Sequence, residues 1–184
     1  MMIDEQERVI LVSEQDDVVG EADKLEVHRT GQLHRAFSVL VLDDGGKVLV
    51  QRRADSKYHS PGLWSNTCCG HPRPGERTVD AARRRLEEEM GFTCDLAPLT
   101  TFTYQADLAG DLVEHELDHV FVGRTTETPN PDETEVGAWR WVEVAELNRW
   151  MQERPQEFTA WFPTVLESLR LLTSHEPQGG RELS

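Results

Sequence analysis

The sequence predicts an α+β protein of layered strands and helices, on three observations. Short apolar runs with a period of two recur along much of the chain, the stretch from 78 to 90 changes to helical spacing, and two more helical stretches follow the last strand signal. Strands interleaved with three helices imply a mixed or antiparallel sheet flanked by helices, in a single domain over 1–175 with a disordered tail over 176–184.

The elements follow in order. Runs near 7 to 12, 36 to 42, 47 to 52, 100 to 106, 113 to 122 and 137 to 142 read as strands bounded by turn residues. "DDGG" at 43 to 46 reads as the hairpin turn between the second and third, since Asp-Gly accepts the positive φ of tight turns. Val79, Ala82, Leu86 and Met90 are spaced three, four and four apart, with Thr78 as the expected N-cap and Gly91 as the stop. Helices are also expected over 142 to 153 and over 158 to 172, the latter interrupted or begun at Pro163.

Composition narrows the function classes. Nineteen basic against 34 acidic residues give a net charge of −15, which repels nucleic acid and anionic membrane surfaces, so an anionic substrate must meet a local basic patch. The apolar run "SVLVL" at 38 to 42 falls far short of the ~18 residues that cross a bilayer, so no membrane partner is expected. The start "MMIDEQERVILVSEQDD" is acidic where an export signal is basic, which predicts a cytoplasmic protein. The three cysteines, Cys68, Cys69 and Cys94, are then expected as free or metal-bound thiols.

Several clusters could carry chemistry. In "VEHELDHVF", Glu114 and Glu116 alternate along a strand and share a face, where they repel each other unless a cation lies between them. A charged strand edge in water is the simpler account of that pair alone. In "KLEVHRTGQLHRAFS", His28 and His34 flank Gly31 on an expected loop, so that both could reach one ion. With His71 and the glutamates they offer three nitrogens and two or more oxygens, a set that suits Zn²⁺ or Mn²⁺. In "NTCCGHPRPGE" two thiols, a histidine and a carboxylate crowd eleven positions, with Gly70 expected to turn the backbone between Cys69 and His71.

The segment "GHPRPGERTVDAARRRLEEEMG" resembles the Nudix box, with Gly70, Glu76, Arg84, Leu86, Glu88, Glu89 and Gly91 in place. Carboxylates on one helical face beside arginines can clamp metal and phosphate together. The chain departs from the box at Arg85, where Nudix hydrolases carry a glutamate, and this favours holding a diphosphate over cutting it. An Arg84–Glu88 pair would also support the helix without any ligand. Together with "HRTGQLHRAFSV", "QRRADSK", "PGLWSNTCCGHP", "TYQA", "VEHELDHVF" and "AWF", the chain from roughly 7 to 172 resembles the type 1 isopentenyl-diphosphate isomerases, a branch of the Nudix fold.

That resemblance implies an enzyme that interconverts isopentenyl and dimethylallyl diphosphate by protonation and deprotonation through a carbocation-like state, in isoprenoid biosynthesis. It implies Cys69 and Glu116 as the acid and base, in either order, Tyr104 beside Glu116, and Trp161 facing the cation. Lys24, Arg53, Lys57 and Arg85 become the diphosphate contacts, while Arg52 reads as solvated surface. His28, His34, His71, Glu114 and Glu116 become the ligands of a tightly bound Mn²⁺ or Zn²⁺. Glu89 and the Cys69 backbone would hold Mg²⁺ against the diphosphate, and Cys68 would pack. The expected partner is a small diphosphate, and the expected assembly a monomer or weak homodimer. Two other readings stay open: a Nudix diphosphohydrolase, and a zinc module on Cys68, Cys69, His71 and Cys94.

Overall fold

A computed structural model of the chain describes residues 7–173; the expected tail lies outside the described residues. Strand β1 (Arg8–Val12) pairs antiparallel with β2 (Val18–Asp23), and helix α1 (Lys24–Thr30) follows at once. Asp23 caps α1, accepting from the backbone N–H of Leu25 and Glu26. Gly31 stops it in the left-handed conformation at φ 69°. The sequence reading placed this segment in a loop. Seven residues with a single buried aliphatic, Val27, are too few to show helical periodicity, and the caps define the helix instead.

The centre of the sheet is β3 (His34–Leu42), which runs parallel to β8 (Leu112–Arg124) and antiparallel to the short β6 (Cys68–Gly70). It meets β4 (Val48–Arg53) only at Leu42 and Val48, around the Asp43–Gly46 turn that the sequence predicts. From there the two strands diverge. Strand β4 takes β5 (Trp64–Ser65) and β9 (Val136–Val142) as antiparallel neighbours, while β7 (Leu96–Leu108) covers the far side of β8. The sheet is therefore mixed.

Both faces of β3 are covered, which accounts for its nearly unbroken apolar run. Phe37, Val39 and Val41 face α2 (Thr78–Met90), through Ala81, Ala82, Leu86 and Met90. Leu40 and Leu42 face the other layer, α3 (Val144–Glu153) and α4 (Phe162–Glu167), through Leu147, Phe162, Val165 and Leu166. Helix α2 begins at Thr78 with Arg77 as its N-cap, one residue earlier than expected, and no side chain caps it. The helix expected over 158 to 172 is two pieces, α4 and α5 (Arg170–Thr173). Its first residues are extended instead: Thr159 donates its N–H to the Trp64 carbonyl, and Pro163 sits in the first turn of α4.

Candidate active site and metal centre

Residues from seven elements line one pocket, Arg53 at the end of β4 among them. Lys24 from α1, Ser38 from β3, Cys69 from β6, Arg85 and Glu89 from α2, Tyr104 from β7, and Glu114 and Glu116 from β8 meet there with Trp161. The loop after β4 adds Lys57, Tyr58 and His59, and Glu135 precedes β9.

The histidine cluster is built by register. His34 and Glu116 stand opposite each other in the parallel β3–β8 pair, and His71 follows directly after β6. His34 Nε2 lies 3.2 Å from His71 Nε2 and 3.5 Å from Glu116 Oε1, which is 2.9 Å from His71 Nε2. His28 Nδ1 lies 2.6 Å from the Lys24 carbonyl and His34 Nδ1 2.9 Å from that of Gln32, so both Nδ1 atoms carry protons. Both Nε2 lone pairs are thereby left to point inward. That of His28 is buried without any partner.

Donor atoms of His28, His34, His71 and Glu116 all lie within 4.8 Å of one another. Convergent imidazole lone pairs beside a buried carboxylate fit a divalent cation. Glu114, which the sequence reading grouped with them, lies beside this set: it meets Tyr104, and its Oε1 is 3.6 Å from His59 Nε2. The pair at 114 and 116 is buried, not a solvated strand edge. Among the described residues no cysteine joins a cluster that could hold a metal, so the zinc module does not assemble. Cys94 lies against Gly123 instead.

Electrostatics separate the two carboxyls. The Tyr104 hydroxyl is 2.8 Å from Glu114 Oε2 and 2.7 Å from Glu116 Oε2, yet it has one proton to give, so one carboxyl must itself be protonated. Burial and the neighbouring Glu116 push Glu114 well above the usual carboxylate range. Burial also opposes ionisation of Glu116, but its contacts with the His34 and His71 imidazoles prevail and hold it well below that range. Burial pushes the Cys69 thiol up to about 12 and lowers His28 to about 4. Cys69 is thus a neutral thiol and Glu116 an ionised carboxylate.

Gly70 acts through space and not through a turn, since it lies in β6. A Cβ there would come 3.0 Å from Phe37 Cζ and 3.5 Å from Arg85 Cγ. Cys68 is fully buried in the core on the α2 side.

The modified box forms a ladder of ion pairs. Arg84 grips Glu76 through two of its nitrogens, Nε and Nη2, at 2.8 and 2.9 Å, and its Nη1 meets Glu88 only at 3.5 Å. Arg85 donates to Glu88 and to Glu89, each at 2.6 Å, and Gln51 holds the other oxygen of Glu89 at 2.8 Å. The guanidinium therefore ties up the two carboxylates that follow it.

All four expected diphosphate contacts line the pocket, while Arg52 pairs with Asp55 outside it. Lys24 pairs with Glu7 at 2.8 Å, and Lys57 with Glu135. Arg53 donates to the His59 carbonyl at 3.1 Å and lies 5.8 Å from the Trp161 ring, so a cation already faces that indole. The Trp161 N–H is fixed by Asn66 at 3.1 Å.

Among the residues that line the pocket, Ser38, Tyr58, His59 and Glu135 went unread in the sequence, as did Asp118 behind Ser38. Ser38 donates to the buried Asp118 at 2.7 Å, and Ser38 and Cys69 are cross-strand partners. His59 follows Lys57 by two positions, and that spacing in "KYHS" is the signal that could have drawn it in. Asp118 continues the alternation of Glu114 and Glu116 along β8, whereas Ser38 and Glu135 carry no local pattern.

Comparison with known proteins bears on all of this. The NUDIX domain model matches residues 32–162. The isopentenyl-diphosphate Delta-isomerase of Burkholderia multivorans is 51% identical over 170 residues, 92% of this chain and 97% of that relative. The enzyme of the same name from Serratia proteamaculans is 48% identical, over 89% of this chain and 91% of its own. Among solved structures, the DR0079 protein of Deinococcus radiodurans superposes with a TM-score of 0.71 at 21% identity, over 90% of this chain and 99% of that one, a likeness of fold. The mixed sheet with helices on both faces, the modified box and these relatives agree: the chain belongs to the NUDIX domain family and, within it, to the isopentenyl-diphosphate Delta-isomerases.

Proposed function

We propose that the chain interconverts isopentenyl and dimethylallyl diphosphate with Cys69 and Glu116 as its two proton-transfer groups. One observation carries this reading: a neutral, partly buried thiol and an ionised buried carboxylate line the same pocket, beside an indole and with four cationic side chains. Moving the double bond requires one proton added to the alkene and a different proton removed from a neighbouring carbon. The pair holds one proton between thiol and carboxylate, so a turnover leaves it on the other partner. Exchange with solvent then resets the site, and Tyr104, bonded to Glu116, is the route for that proton.

Trp161 faces the tertiary cation, whose charge an aromatic face stabilises by ~2 kcal/mol when water is excluded. Arg53, Lys57, Arg85 and Lys24 bind the diphosphate. His28, His34, His71 and Glu116, with Glu114 beside them, would hold Mn²⁺ or Zn²⁺; Glu89 and the Cys69 carbonyl would hold Mg²⁺. When bound, these ions supply positive charge that orders the Glu116 carboxylate and neutralises the diphosphate. Diphosphohydrolysis is disfavoured, because Arg85 stands where the box has a carboxylate and pairs with Glu88.

The test is isomerisation of isopentenyl diphosphate in deuterated water with Mg²⁺. Deuterium should enter the product, and Cys69→Ala and Glu116→Gln should each lose at least about a hundredfold in rate. Full activity in either variant removes the assigned role, and release of phosphate without isomerisation replaces the reading by hydrolysis.

A further inference from the structure

The pocket's cations are not bare. A single oxygen of Glu135, Oε2, contacts Lys57 Nζ and lies 3.4 Å from Arg85 Nη2, so one carboxylate atom bridges both. Its backbone is anchored: the Glu135 carbonyl accepts from Ala54 N–H and its own N–H donates to the Asp132 carbonyl, each at 3.0 Å. The side chain is half-buried and lines the pocket with Lys57, Arg85 and Glu89. An anion held by Lys57 and Arg85 together needs the position that this oxygen fills.

We infer that Glu135 is a resident counterion that occupies the place of a substrate phosphate oxygen between Lys57 and Arg85 and yields it on binding. This rests on the diphosphate reading of the pocket and adds to it a residue that sets affinity. Lys57 and Arg85 would repel each other in an empty, half-buried pocket, and the carboxylate keeps them gathered there. A bound diphosphate takes over that task and meets Glu135 as a like charge. Substrate and product carry the same diphosphate, so the residual repulsion weakens both and speeds release of the product.

The experiment measures binding of inorganic pyrophosphate in Mg²⁺ buffer by calorimetry, with folding checked by circular dichroism. Glu135→Gln should bind about three- to tenfold more tightly than wild type, the effect of removing one like charge near solvent. The KM for isopentenyl diphosphate should fall by a similar factor. Glu135→Asp keeps the charge and should keep wild-type affinity. Glu127→Gln, an exposed charge outside the pocket, should change nothing. Glu135→Ser covers poor packing of the amide. Unchanged or weaker binding in folded Glu135→Gln overturns the inference, as does loss of the fold in both neutral variants. Wild type that ignores pyrophosphate, or Lys57→Ala that binds it normally, overturns the diphosphate reading itself, and this inference with it.

Discussion

Arg84 and Glu76, eight residues apart, close a two-pronged ion pair that fastens the loop after His71 to the second turn of α2, with contacts of 2.8 and 2.9 Å. The same Glu76 carboxylate accepts the Arg73 N–H at 2.8 Å. The pair belongs to the framework, for it holds the segment that leads out of Cys69 and His71.

Lysine keeps the charge at 84 but not the fork. Arg84→Lys should therefore cost about 1 kcal/mol, a fall of ~2–4 °C in Tm by scanning calorimetry. A melting temperature equal to wild type would mean that the second prong contributes nothing.

The three cysteines should separate by reactivity. Burial raises Cys69 to about 12 and the fully buried Cys68 well above the usual thiol range; it also raises the partly exposed Cys94, where the Arg83 charge opposes the rise. The thiolate is the reactive form. Iodoacetamide at pH 8, followed by peptide mass spectrometry, should label Cys94 first, and the Cys69 rate should keep rising beyond pH 10. Preferential labelling of Cys69 at pH 7 would show an ionised thiol.

Asp118 should impose a pH slope on stability. Burial first, and then Glu116, raise it from the ordinary carboxylate range to about 8. Between the unfolded value near 4 and the folded value near 8 the native state binds the extra proton, so stability falls as pH rises through that window. Asp118→Asn removes the group. In chelated protein the stability of wild type relative to Asp118→Asn should drop from pH 5 to pH 8 by at least ~1 kcal/mol, the worth of one pKa unit being ~1.4 kcal/mol. Parallel denaturation curves at both values would place Asp118 among ordinary ionised carboxylates.

Metal should be linked to folding through the imidazole cluster. Binding to the native state alone stabilises by about 4 kcal/mol at a thousandfold excess over Kd. Chelation should therefore lower Tm, and re-addition of Mn²⁺ or Zn²⁺ should restore it. His34→Ala should abolish both the response and the metal content measured by mass spectrometry. His115→Ala, outside the cluster, should keep both.

Much of the fold was legible because it rests on local pattern. The apolar run of β3, the alternation in β7, β8 and β9, the Asp-Gly turn and the three-four-four spacing of α2 are written in neighbouring residues. The elements missed, β2, α1, β5 and β6, run from two to seven residues, too short for a period to repeat. Caps and cross-strand hydrogen bonds make them. The helix expected over 158 to 172 holds from Phe162, in line with a start at Pro163, but not over its first residues, where contact between Thr159 and Trp64 outweighs the local helical tendency.

By itself the sequence picked out the residues that the proposed reaction uses: Cys69, Glu116, the three histidines, the four cationic side chains and the replacement at Arg85 are motif positions, set by residue type and order. Tertiary structure alone decided their states. The parallel register that sets His34 against Glu116, and the burial that protonates Glu114 and Cys69 while two imidazoles keep Glu116 ionised, arise between strands far apart in the chain. So does the seat of Glu135 between Lys57 and Arg85. Charge and desolvation depend on distance in space, and linear spacing does not encode that distance.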